Sequence, residues 1–211
     1  MISALEALER LRQGNREFAE GKIKAERFEN LVGLATAAAD KVQEPFAVIL
    51  GCSDSRVPVE LLFNQGFGDL FVIRVAGNIV APSQIGSIEF AAEKFGTPLV
   101  VVLGHTRCGA VTTTLEVLQK DEQPSRNLRS IVDRIRPSVQ GLLNTDLKHK
   151  PDQLIRAATR TNVSMVANFL RHGSQSLEQL IGSEGLLVVG AEYSVETGRV
   201  EFFDGVPDGF Q

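Results

Sequence analysis

Short apolar runs alternate along the chain with stretches whose apolar residues recur at helical spacing. The runs `PFAVILG` (45–51), `TPLVVVLGH` (97–105) and `GLLVVGAEYSV` (185–195) are nearly continuous in Val, Ile and Leu. That is the pattern of strands buried on both faces. `GDLFVIRVAGN` (68–78) reads as a further strand that runs into a Gly-Asn turn, and `RVEFFD` (199–204) pairs back through an `ETG` turn as a hairpin strand. Between them, `PVELLFNQG` predicts a short helix. `SQIGSIEFAAEKFG` (83–96) predicts an amphipathic helix with Ser83 as N-cap and Gly96 as stop. `AVTTTLEVLQKD` predicts another. From Pro124 to Gly182 the chain is helical and more polar, with Pro137 a start, break or kink and Gly173 ending a long amphipathic stretch.

The first residues, `MISALEALERLRQGN`, place Leu5, Leu8 and Leu11 on one helical face, with Ser3 and Glu6 at capping-box spacing. An Ala-rich segment before Pro45 reads as a loop and a short helix wrapping the body. Strands alternating with helices imply an α/β fold. We expect four parallel strands plus an antiparallel C-terminal edge strand, flanked by helices. The domain reading is one unit over 1–211, with a helical arm at 1–44 and an α/β core at 45–211.

Composition narrows the function classes. The chain has 211 residues, 43% hydrophobic and 23% charged, with net charge -4. The acidic balance argues against a nucleic-acid partner. No apolar run reaches the ~18 residues of a membrane span. The start lacks a signal-peptide layout, so the expected location is the cytoplasm. Neither a `GxGxxG` after a strand nor a `GxxxxGK` loop is present.

Only two cysteines occur, Cys52 and Cys108, and three histidines. Cys52 opens `CSDSR` just past the first buried run, and His105 and Cys108 lie in `GHTRCGA` just past the third strand. Open parallel sheets gather ligands outside the carboxyl ends of their strands. If the first and third strands are neighbours, two thiols and an imidazole converge. They are then zinc ligands that leave a fourth position open, or two unrelated buried thiols beside a histidine. A centre with two thiolates and a neutral His is formally neutral, so it benefits from an acceptor that orients bound hydroxide. Asp54 is the candidate acceptor, with Arg56 holding it. Asp54 could instead take the fourth zinc position, or the two could form an ordinary surface ion pair. His149 and His172 receive no role.

`CSDSRVPVE`, `GDLFVIRVAGN`, `GSIEFAAEKFG` and `VVVLGHTRCGAV`, in this order and spacing, resemble the β-class carbonic anhydrases. `ALERLRQGNREFAEG` and `GAEYSVETGRVEFF` extend the likeness over nearly the whole chain. The resemblance implies reversible hydration of CO₂ to bicarbonate and a proton by attack of zinc-bound hydroxide, with one Zn²⁺ per chain. It implies Cys52, His105 and Cys108 as metal ligands and Asp54 and Arg56 as the catalytic dyad. Gln43, Phe71, Ala76 and Gly109 fall where members line an apolar CO₂ pocket. A homodimer or dimer-based tetramer is implied, with the pocket at the subunit interface.

The chain departs from the pattern in places. Thr106 stands where Ser is common and Val75 where Asn is frequent. One bacterial subgroup binds regulatory bicarbonate through a Trp, an Arg and a Tyr. Here the Trp position is Ile49, with Arg74 and Tyr193 as counterparts of the others. Rival readings are a relative that hydrolyses COS or CS₂, a non-catalytic zinc-binding assembly module, and a dithiol redox protein.

Overall fold

The computed structural model describes residues 2–23, 43–120 and 122–210. The Ala-rich wrapping helix expected before Pro45 lies outside the described residues.

Helix α1 (Ala4–Ala19) begins with the capping box read from the sequence, Ser3 and Glu6 satisfying each other's amides. Such a cap stabilises a helix by about 1 kcal/mol. Leu8 and Leu11 are fully buried, while Leu5 is 37% exposed. Strand β1 (Ala47–Gly51) follows, then the one-turn helix α2 (Val59–Leu62), strand β2 (Leu70–Arg74) and a 3₁₀ turn over Ala76–Asn78. The strand ends at Arg74, and the Gly-Asn turn expected after it is present, with Gly77 at φ +71 and Asn78 at φ +43. Two left-handed residues in succession cannot continue a strand.

Helix α3 (Pro82–Phe95) corrects the expected N-cap. Pro82 occupies the first turn and Ala81 is the cap, so Ser83 already lies inside the helix. Proline's fixed φ suits that first position. Gly96 ends the helix in the left-handed conformation, as expected. Strand β3 (Leu99–His105), helix α4 (Gly109–Lys120) and helix α5 (Arg126–Val139) come next. Pro137 sits within the last turn of α5, where it lacks the amide that would bond the Asp133 carbonyl, and the helix ends two residues on. Helix α6 (Pro151–His172), helix α7 (Gln175–Glu184), strand β4 (Leu187–Tyr193) and strand β5 (Val200–Asp204) complete the order.

The strand order is β2-β1-β3-β4-β5. β1 pairs in parallel with both β2 and β3, β3 pairs in parallel with β4, and β5 returns antiparallel to β4. One face is covered by α1 and α2 through Leu8, Leu11, Leu62 and Phe63. The other is covered by α3, α6 and α7 through Ile88, Val163, Leu170 and Leu177. Since β1 and β3 are neighbours, their carboxyl ends meet. A third apolar cluster, from α4, α5 and α6, packs under that meeting point and includes both cysteines. Among the described residues, no helix is long and apolar enough to cross a membrane.

Candidate metal centre

The fully buried strands β1 and β3 end on Gly51 and His105. Their ends deliver Cys52, His105 and Cys108 to one place, and the three candidate ligand atoms lie within 4.8 Å of one another. Cys52 is 5% exposed, Cys108 1% and His105 0%. The backbone between His105 and Cys108 turns through Arg107, a non-glycine residue with φ +56. That brings Cys108 back beside the histidine and starts α4 at Gly109.

The histidine carries the most telling signal. Its Nδ1 pairs with the Thr106 carbonyl oxygen at 2.9 Å, which makes Nδ1 the N–H donor and leaves Nε2 a lone pair. Among the described residues, Nε2 is buried without a hydrogen-bond partner. A buried acceptor without a partner is costly, and the histidine's ligand nitrogen lies within 4.8 Å of both sulfurs. The thiols' mutual hydrogen bond holds Cys52 well below the usual thiol range, and that contact together with burial pushes Cys108 up. Two sulfurs and an imidazole nitrogen, dry and convergent, fit a zinc ion.

Asp54 faces Arg56. The Arg56 backbone N–H and Nε donate to Oδ1 at 2.9 Å each, and Nη2 donates to Oδ2 at 2.7 Å. These bonds hold the Asp54 carboxyl far below the ordinary carboxylate range. Oδ2 of the carboxylate lies 3.9 Å from His105 Nε2. Arg74, at the end of β2, grips the main chain of the same loop. Its Nε donates to the Cys52 carbonyl at 3.0 Å and its Nη2 to the Asp54 carbonyl at 2.6 Å. Arg56 also reaches the Arg107 carbonyl at 3.3 Å, so the two loops are tied to each other.

The other sequence-derived positions divide into two pairs. Ala76 precedes Gly77, whose N–H donates to Cys52 Sγ at 3.3 Å. Gly109 follows Cys108, and a Cβ there would meet nothing within 4 Å. These two adjoin the cluster. Phe71 pairs across the sheet with Val48, three register positions back from the Gly51 and Arg74 pair. Its ring packs with those of Phe90 and Phe95. Gln43 is exposed ahead of β1. Sequence reading gave no role to the Gly77 N–H or to Arg74 as a clamp. The `VAGN` strand end beside `CSDSR` carries that signal only once β1 and β2 are paired.

The carbonic anhydrase family model matches residues 47–200 of the chain. Carbonic anhydrase 2 of Mycobacterium tuberculosis is 34% identical over 198 residues, covering 93% of this chain and 91% of that protein. A carbonic anhydrase of Mycolicibacterium smegmatis is 39% identical over 173 residues, 78% of each. Among solved structures, the β-carbonic anhydrase CafA of Aspergillus fumigatus superposes with a TM-score of 0.72 at 27% identity. It covers 92% of this chain and 89% of that one. The β-carbonic anhydrase CcaA gives 0.68 at 27% identity, covering 94% and 95%. The fold and the strand-end cluster thus define a carbonic anhydrase of the α/β kind. The chain belongs to the β-class carbonic anhydrases, and its activity is the reversible hydration of CO₂ to bicarbonate and a proton.

Proposed function

We propose that the chain carries out this reaction with one zinc ion held by the sulfurs of Cys52 and Cys108 and by Nε2 of His105. The orphaned, buried Nε2 carries the reading, since among the described residues no group gives it a hydrogen bond. Zinc, when bound, supplies a Lewis acid that makes water a nucleophile at neutral pH. Everything else falls to the chain. Asp54 stays ionised and accepts the hydrogen bond that orients the attacking water. Arg56 holds it there through three donors, which engage both carboxylate oxygens. Asp54 paired with Arg56 supports an open resting site rather than one closed by the carboxylate.

Ala76 and Gly109 border the space where CO₂ sits. Phe71 and Gln43 complete the pocket from the second chain of a homodimer, or of a dimer-based tetramer. Their distance from the cluster of their own chain supports that reading, as does the edge position of β2 with its half-buried residues. Arg74 is committed to two carbonyls and Ile49 replaces the Trp, which favours an enzyme without that mode of bicarbonate regulation. The described residues act as one domain. Its two free cysteines suit a reducing compartment such as the cytoplasm.

Stopped-flow hydration of CO₂ by the zinc-loaded protein, run beside COS and CS₂ hydrolysis, tests the reading. Turnover on CO₂ should dominate. Preferential turnover on the sulfur gases, or full activity without metal, would contradict it.

A further inference from the structure

Helix α6 lies on the sheet with an apolar face, yet Asn162 stands in the middle of that face and is 1% exposed. A buried amide is costly unless both of its ends are used. Here they are. Nδ2 donates to the Gly77 carbonyl at 2.9 Å, and Oδ1 accepts the Ser138 hydroxyl at 3.2 Å. Ser138, near the end of α5, is itself 6% exposed. A small, dry polar network therefore spans two helices and ends on one backbone carbonyl.

That carbonyl belongs to the turn whose preceding N–H meets Cys52 Sγ. The turn has little room to move. Gly77 holds φ +71, and a Cβ on it would lie 2.7 Å from Ile135 Cδ1. The register of α6 against the sheet is equally tight. Val163, next to Asn162, sits where a Cβ on Gly104 would come within 2.5 Å and one on Gly190 within 2.8 Å. Two strand glycines thus let α6 approach closely enough for its amide to reach the turn.

We propose that Asn162 is a positioning residue of the metal centre: by fixing the peptide after Gly77 it aims the Gly77 N–H at Cys52 Sγ and so sets how firmly that sulfur holds zinc. The inference rests on Cys52 being a zinc ligand. Outer-shell partners that orient a ligand typically change metal affinity by about 10–100-fold when removed.

The test uses the full-length zinc-loaded protein and two variants. Asn162→Leu keeps the shape and removes the amide. Ser138→Ala removes only the hydroxyl that braces it. Three quantities are read: zinc release into excess chromogenic chelator, the sulfur-to-metal charge-transfer band of the cobalt-substituted protein, and the thermal midpoint of the zinc-free protein. Asn162→Leu should release zinc about tenfold faster and shift the band, whatever its midpoint does. Ser138→Ala should move both in the same direction by less. A variant with an altered midpoint but wild-type release and an unshifted band would make Asn162 a packing residue only and overturn the inference. If Asn162→Leu does not fold, Ser138→Ala decides, and wild-type release with an unshifted band there overturns it. Wild-type protein that takes up no zinc overturns the ligand reading and this inference together. Wild-type protein that binds zinc, with variants that hold it equally well, sinks this inference alone.

Discussion

The loop after β1 and the turn after β2 flank the same sulfur, and they are held by opposite means. The loop carries Asp54 and Arg56 at the rim, with Arg56 half exposed, and is fastened by guanidinium groups on the carboxylate and on two carbonyls. The turn is buried and is fastened, besides its N–H on the sulfur, by neutral groups among the described residues, the Asn162 amide and the packing of Ile135. The contrast follows from what each side does. A carboxylate that must stay ionised and aimed benefits from a strong, wet counter-charge. Beside the sulfur, an added charge would have to be desolvated, so a dry neutral frame costs less.

The sharpest break of the comparison removes the sulfur that both sides share. Cys52→Ala should lose zinc and reduce CO₂ hydration to background, beyond the ~10–100-fold of outer-shell changes. Elemental analysis and stopped flow check it, and an active, zinc-replete variant would remove Cys52 from the site. Next comes the rim alone. Asp54→Asn should retain zinc and lose about 10²–10⁴-fold in turnover, the usual weight of a positioned acid–base group. Equal turnover by the variant would deny the dyad its role.

The buried turn is probed by Gly77→Ala. The added methyl meets Ile135 and the left-handed backbone disfavours it, at a cost of about 2–3 kcal/mol. Calorimetry should find a lower unfolding midpoint, and an unchanged one would mean the turn yields easily. The smallest effect concerns acid. Arg56 holds the Asp54 carboxyl low, so the pair's stabilisation is present above the unfolded carboxyl value near ~4 and fades as pH falls through the lower folded value. The stability gap between wild type and Arg56→Ala should therefore narrow below about pH 4. A gap that stays constant into acid would show that Arg56 acts by packing rather than charge.

Much of this was legible in the chain. Continuous apolar runs marked β1, β3 and β4, and their polar ends marked Cys52 and His105 as convergent. The capping box at Ser3 and the stop at Gly96 are local chemistry and so could be read locally. The start of α3 was misplaced because Pro82 competes with Ser83 for the helix entrance, and proline's fixed φ wins. The Gly-Asn turn after β2 was legible as well, because glycine and asparagine are the residues that adopt the left-handed conformation found at Gly77 and Asn78. Asn162 was illegible for a different reason. In `TRTNVSMVANFL` it is one polar residue among several. Only the packing of α6 against Gly104 and Gly190 shows that it faces inward to the turn beside Cys52.

Zinc K-edge absorption on the loaded wild-type protein tests the central claim most directly. The account predicts two sulfur neighbours at about 2.3 Å and one imidazole nitrogen at about 2.0 Å, with a single further light atom. A zinc shell of nitrogen and oxygen with no sulfur would contradict it.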